Sequence, residues 1–116
     1  MKIKYLLAII PAILLLTTCV NLDEIVITNP DLSGIADGVY QGNSKVGPVR
    51  VTLDVTMREN KITSIEIIKH FNGRGKEAEA IIPRIIQEQS LQVDVISGAT
   101  ASSKAFLLAV EDALNR

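Results

Sequence analysis

The ten residues from Val49 to Arg58 alternate without a fault: Val49, Val51, Leu53, Val55 and Met57 are apolar, and the residues between them are polar. Side chains on a β-strand point to opposite faces in turn, so this stretch reads as a strand with one face in a core and the other in water. Half-buried strands of this kind belong to antiparallel sheets. An earlier strand is expected over Val39 to Ser44, with Gly47-Pro48 as the turn between the two. Glu59-Asn60 forms the next turn and Ile62 to His70 a third strand. The phase of that strand slips where Ile67 and Ile68 are adjacent, which is the mark of a bulge.

After Asn72, Gly73 and Gly75 the apolar period changes from two to 3.6. Ala78, Ile81, Ile82, Ile85, Ile86 and Gln89 follow the spacing of an amphipathic helix. Pro83 inside such a helix would cost about 3 kcal/mol, so the helix is expected to break, with Pro83 in the first turn of a second piece. Leu91 to Ile96 is apolar on alternate residues and reads as another short strand. A last helix is expected over Ala101 to Asn115, with Phe106, Leu107, Val110, Ala113 and Leu114 on one face. The class is α+β: a small antiparallel sheet packed against two helices, preceded by an N-terminal signal or membrane anchor.

That anchor is the second constraint. Lys2 and Lys4 precede an apolar run from Tyr5 to Leu16, broken only by Pro11, and this is the pattern of an export signal. Left uncleaved, Tyr5 to Leu22 would span about 27 Å as a helix, close to the thickness of the bilayer interior. Leu16-Thr17-Thr18-Cys19 resembles a bacterial lipobox, in which Cys19 is lipidated after cleavage behind residue 18. Thr18 stands where Gly, Ala or Ser is usual, and Cys19 inside a retained membrane helix is the other reading. In both, the lysines keep the N-terminus inside and place the domain on the extracytoplasmic side of a bacterial cytoplasmic membrane. The expected organisation is an anchor over residues 1–22, a linker over 23–36 and a folded domain over 37–116.

Composition removes several functions. The formal net charge is −1 and aromatic residues make up 3% of the chain, so neither the electrostatic footprint nor the stacking surface of a nucleic-acid binder is present. One Cys and one His supply neither a disulfide framework nor a zinc site of the usual ligand count. The informative segment is Asp94-Val95-Ile96-Ser97-Gly98-Ala99-Thr100-Ala101-Ser102-Ser103. Thr100, Ser102 or Ser103 can cap the helix that begins there, and physics alone favours a capped helix after a polar turn. The second reading is an anion site. First-turn amides lack intrahelical partners, and Gly98 lets a ligand approach the backbone. His70 stands before the polar, basic loop Asn72 to Lys76, and both read either as ligand contacts or as an ordinary strand end and turn.

The motif Asp94-x-x-Ser97-Gly98-Ala99-Thr100 resembles that of the FMN-binding domain found in bacterial respiratory and electron-transfer proteins, among them subunits of the sodium-pumping NADH:quinone reductase and of the Rnf complex. Asp37 to Gly42, Lys61-Ile62, the stretch around His70, Gln89-Ser90 and Ser102-Ser103 add to the resemblance, which extends from about Asp37 to Leu114. It implies FMN joined by a phosphoester bond to Thr100, attached by a flavin transferase that takes FAD as donor. It further implies Ser97, Ser102 and Ser103 as phosphate donors, Gly98 and Ala99 as room for the flavin, and Asp94 as a turn-shaping residue or one read by the transferase. The implied function is a membrane-tethered electron relay between redox partners rather than a stand-alone enzyme, since redox chemistry resides in the flavin. The alternative is a flavin-free binding or structural lipoprotein built on the same domain.

Overall fold

The computed structural model describes residues 25–71 and 75–115. Residues 1–24, which include the expected anchor and Cys19, and the loop residues Asn72, Gly73 and Arg74 lie outside the described residues. Among those described, no helix is long and apolar enough to cross a membrane. Three strands, β1 (Gly38–Val46), β2 (Val49–Arg58) and β3 (Lys61–Phe71), form an antiparallel sheet in the order β1-β2-β3. Three helical segments follow: α1 (Gly75–Glu79), α2 (Ile81–Glu88) and α3 (Thr100–Leu114).

The alternation of β2 is realised in full, because Val49, Val51, Leu53, Val55 and Met57 are all buried. Both hairpins have two-residue turns with positive φ, at Gly47 (58°) in the first and at Glu59 (51°) and Asn60 (65°) in the second. Such turns match the right-handed twist of the strands they join. In β3 the expected bulge lies at Ile68, since Leu53 pairs with Ile67 but Thr52 with Lys69. A second falls at Thr63, between the pairs Met57–Ile62 and Thr56–Ser64. Across both bulges Ile62, Ile65, Ile67 and His70 stay opposite the buried side chains of β2 and share its inner face.

The inner face is covered by α3, which packs along β1 and β2. The approach to β1 is closest at Gly42, where a Cβ would lie 1.9 Å from the Ala109 carbonyl oxygen and 2.7 Å from the Ala113 nitrogen. Only a residue without a side chain fits between this strand and this helix. The C-terminal half of α3 is also tied by its acids. Asp112 accepts from the Asn43 backbone N–H on the outer edge of β1 (2.9 Å), and Glu111 accepts from the backbone N–H and hydroxyl of Thr28.

The helical region breaks where Pro83 required it. Ala80 separates α1 from α2, and Pro83 sits in the first turn of α2, where its missing N–H leaves no bond unmade. Gln89 is not part of the helix face as its spacing suggested. It caps α2 in the left-handed region (φ 51°), and its side-chain amide pairs with both backbone groups of Ile62, accepting at 2.7 Å and donating at 2.8 Å. A left-handed non-glycine residue costs about 1–2 kcal/mol, which these bonds and a third to the Ile86 carbonyl offset.

Two expectations are corrected. Leu91 to Ile96 is not a strand, because its backbone is satisfied by side chains instead of a ladder: Leu91 N–H by Asn29, Gln92 N–H by Ser90, and the Asp94 carbonyl by Arg84. Residues 25–36, expected as part of a linker, are docked on the domain. Ile25, Ile27, Leu32 and Ile35 pack against the core, and the Gln92 side chain donates to the Ile27 carbonyl. A single 3-10 turn (Leu32–Gly34), capped by Asp31, lies within this strap.

Candidate functional site

The segment between α2 and α3 ends in a tight turn. The Ala99 N–H donates to the Ile96 carbonyl (2.9 Å) across Ser97 and Gly98, and Gly98 has φ 80°. A type II turn needs positive φ at that position, so glycine is a backbone requirement here. The side of Gly98 is open, with no atom within 4 Å of where a Cβ would stand. Ser97 and Gly98 are exposed and Thr100 is half-buried at the first position of α3.

The hydroxyls do not cap the helix, contrary to the expectation for Thr100, Ser102 and Ser103. Its N-cap is Ala99, which makes no side-chain capping bond. Ser102 and Ser103 instead turn into the body of the protein and are buried, at 3% and 0% exposure. The Ser103 hydroxyl accepts from the Ile96 N–H (3.0 Å), pinning the turn to the helix from within. Ser102 lies 3.3 Å from His70 Nε2, and the His70 ring packs edge-on against Phe106 with 4.8 Å between centroids. The burial of these serines follows from spacing: Ala99, Ser102, Ser103, Phe106, Val110 and Ala113 continue one inward stripe of α3, and all are buried. Ala99, expected as open space beside the ligand, belongs to that stripe.

The helix start therefore has an uncommon composition. No acidic side chain occupies the first turn of α3 and its N-cap, Ala99, makes no side-chain bond, so the Thr100 and Ala101 amides and the positive end of the dipole stand beside Thr100 and the open flank of Gly98. Hydrogen-bond donors, an accessible hydroxyl and a side-chain-free approach form a donor set suited to a phosphate group. Asp94 is exposed at the head of the segment. Arg84 holds its backbone carbonyl (3.2 Å), while its carboxylate has no hydrogen-bond partner among the described residues.

Comparison with known proteins decides what such a turn belongs to. The profile of the FMN-binding domain family matches residues 45–115, from the end of β1 through α3. The chain belongs to the FMN-binding domain family. An uncharacterized protein of Treponema pallidum (strain Nichols) is 30% identical over 83 residues, which cover 69% of this chain and 23% of that protein. The chain thus spans less than a quarter of the length of that relative.

Within the family match, the structure brings Ser97, Gly98 and Thr100 together on the outside of one turn, and Ala99, Ser102 and Ser103 together on its inside. His70 joins the inner group through Ser102 and Phe106. Sequence reasoning missed Gly42 as the seat of α3 and Gln89 as the clasp on β3. A glycine in the inward phase of β1, opposite a helix with Ala109 and Ala113 four apart, was the available signal for the first.

Proposed function

We propose that this chain is a membrane-tethered, extracytoplasmic electron carrier whose FMN is joined covalently to Thr100. The observation that carries the reading is the start of α3, whose N-cap Ala99 makes no side-chain bond and which sets Thr100 at the first position of the helix in a chain of the FMN-binding domain family. A flavin transferase supplies the FMN moiety from FAD. The Thr100 oxygen takes the place of AMP on the phosphorus and the hydroxyl proton passes to water.

Each residue of the motif then has its own task. The first-turn amides of α3 and the Ser97 hydroxyl hold phosphate oxygens, and Gly98 keeps the approach clear. Ser103 and Ala99 fix the turn so that the donors are set before the flavin arrives. Asp94, with its carboxylate turned to water, is the group the transferase reads. The bound flavin supplies one- and two-electron chemistry, and the protein supplies attachment and orientation. The anchor over residues 1–22, as a lipid on Cys19 or as a retained helix, holds the carrier beside membrane redox partners.

The test is coexpression with a flavin transferase followed by denaturing electrophoresis. A fluorescent flavin band that survives denaturation is expected from the wild-type chain and lost in Thr100→Ala. A fluorescent Thr100→Ala band would move the attachment elsewhere, and a dark wild-type band of confirmed expression would favour the flavin-free alternative. Protease added to cells with an opened wall should cut residues 37–116; full protection would contradict the extracytoplasmic location.

A further inference from the structure

The face of the sheet opposite α3 is ordered in rows by the strand register. At one end Lys45, Arg50 and Phe71 stand side by side, followed by Asn43, Thr52 and Lys69. The next row is acidic, with Gln41, Asp54 and Glu66. Residues of the two leading rows line an open groove of about 710 Å³. Phe71 is 55% exposed, and Lys45, Arg50 and Lys69 are all exposed.

Three features of this patch are not required by the fold. Lys45 lies directly opposite Arg50, and like charges facing each other across a strand pair destabilise it. None of the three cations has a carboxylate partner among the described residues. The chain as a whole carries a formal net charge of −1, so the patch is a local accumulation rather than the general character of the surface. An arginine beside an exposed aromatic is a pairing enriched at the centres of protein interfaces, and the lysines around it give the patch its charge.

The position of the patch matters as much as its chemistry. Along β1 the helix contacts run from Gly42, under Ala109 and Ala113, to Ser44, whose hydroxyl donates to the Ala105 carbonyl. His70, next to Phe71, meets Ser102. The cationic end of the sheet is therefore the end at which α3 starts with Thr100.

We propose that the outer-face patch of Lys45, Arg50, Lys69 and Phe71 docks an acidic protein partner, the redox partner of the relay proposed above, on which this inference rests. Carboxylates of the partner meet the three cations and an apolar side chain covers Phe71. The Asp54–Glu66 row behind them repels a partner that is shifted along the strands, which selects one docking register. An anionic lipid surface is the weaker occupant, because lipid recognition uses clusters of about four to eight basic residues worth about 1 kcal/mol each. Electron-transfer encounters use small interfaces, for which a patch of this extent suffices.

The experiment takes the full-length chain in zwitterionic nanodiscs and follows its backbone amide signals during titration with two probes, an acidic flavodoxin and a basic c-type cytochrome. The flavodoxin should shift signals of residues 43–46, 49–52 and 69–71, with affinity falling roughly tenfold between low and physiological salt. The cytochrome should leave those signals unmoved. The triple variant K45E/R50E/K69E should invert the preference, and the milder K45Q/K69Q should weaken flavodoxin binding without disturbing the sheet. Phe71→Ser should lower affinity severalfold at unchanged salt dependence. Shifts confined to other surfaces, indifference to the charge changes, or perturbation of the patch by phosphatidylglycerol vesicles but not by flavodoxin would each overturn the proposal. Since the readout does not depend on flavin, a chain that takes up no FMN with the transferase present but binds flavodoxin through the patch sinks the relay alone, and a loaded chain that fails to bind sinks the patch alone.

Discussion

Along α3 the C-terminal half is pressed against the sheet and the N-terminal end is left open. The first rests on Gly42 with no space for a methyl group, and Glu111 and Asp112 reach from it to backbone N–H groups of two other segments. Both acids stand near the negative end of the helix dipole, where each is unfavourable by about 0.3–1 kcal/mol, so their hydrogen bonds outweigh their placement. At the other end the N-cap Ala99 makes no side-chain bond and no acid stands in the first turn, while Ser103 holds the helix down from inside. One helix thus does two tasks because its ends are treated differently: the closed end sets the position, and the open end offers the chemistry.

Substitutions at the two ends should separate these tasks, and the largest effect belongs to the closed end. Gly42→Val places carbon against a backbone carbonyl that cannot yield, so α3 must lift from β1. We expect a loss of at least about 3 kcal/mol in urea unfolding, or no cooperative transition; a wild-type midpoint would show that the helix is not seated there.

Ser103→Ala comes next, since it removes only the hydroxyl and leaves the Ile96 N–H without an acceptor, at a cost of about 1–3 kcal/mol. Flavin loading should fall with it as the turn loosens. Unchanged stability with reduced loading would instead make Ser103 a ligand contact, and the division into inner and outer hydroxyls would fail.

Asp112→Ala should cost about 1 kcal/mol, read as faster hydrogen exchange at the Asn43 amide, with the relief of the helix dipole returning part of it. Thr100→Ala in the unloaded chain should change stability by less than about 0.5 kcal/mol, because Thr100 is not the cap. A larger loss would assign it a structural role after all.

The smallest effect is one of pH. The Ser33 hydroxyl, and after it the Ser33 backbone N–H, hold the Asp31 carboxyl below its ordinary range. A carboxyl lowered in the folded state adds stability above its unfolded pKa and loses it as pH falls through the folded value. Docking of residues 25–36 should therefore be indifferent to this group from neutral pH down to about 4 and weaken below that. Asp31→Asn should remove the acid component, measured at the Ser33 amide.

Much of the fold was legible because it rests on period. The alternation of β2, the Glu59-Asn60 turn, the slip at Ile67-Ile68 and the break before Pro83 each reflect a local rule that tertiary packing did not override. Leu91 to Ile96 failed because alternation shows which side chains are buried and not where the backbone bonds go. Asn29 and Arg84, distant in sequence, supplied those bonds. The docking of residues 25–36 was illegible for a related reason: four apolar residues without a period gain their meaning only from the surface they meet. At the site, the motif identified the turn, but residue type misled on orientation. Serine suggested a ligand contact, whereas its place in the stripe with Phe106 and Val110 fixed it as interior.

The doubled residues of β3 bear on which lengths of this strand a population of related genes can sample. Excising Thr63 and Ile68 leaves Ile62, Ile65, Ile67 and His70 still alternating with outward residues, so the interior would not register the loss. Excising Glu66 inverts everything on one side of the cut. The two extra residues are thus not needed to build the core, and what they alter is the rim. β3 ends the sheet, and a straight, regular border invites a neighbouring chain to add itself as the next strand. Bulges bend such a border and break its even row of donors and acceptors. The Gln89 amide occupies a further rung at Ile62. Shortened versions of this strand would fold as well and keep worse, lost to self-association in concentrated solution rather than to unfolding.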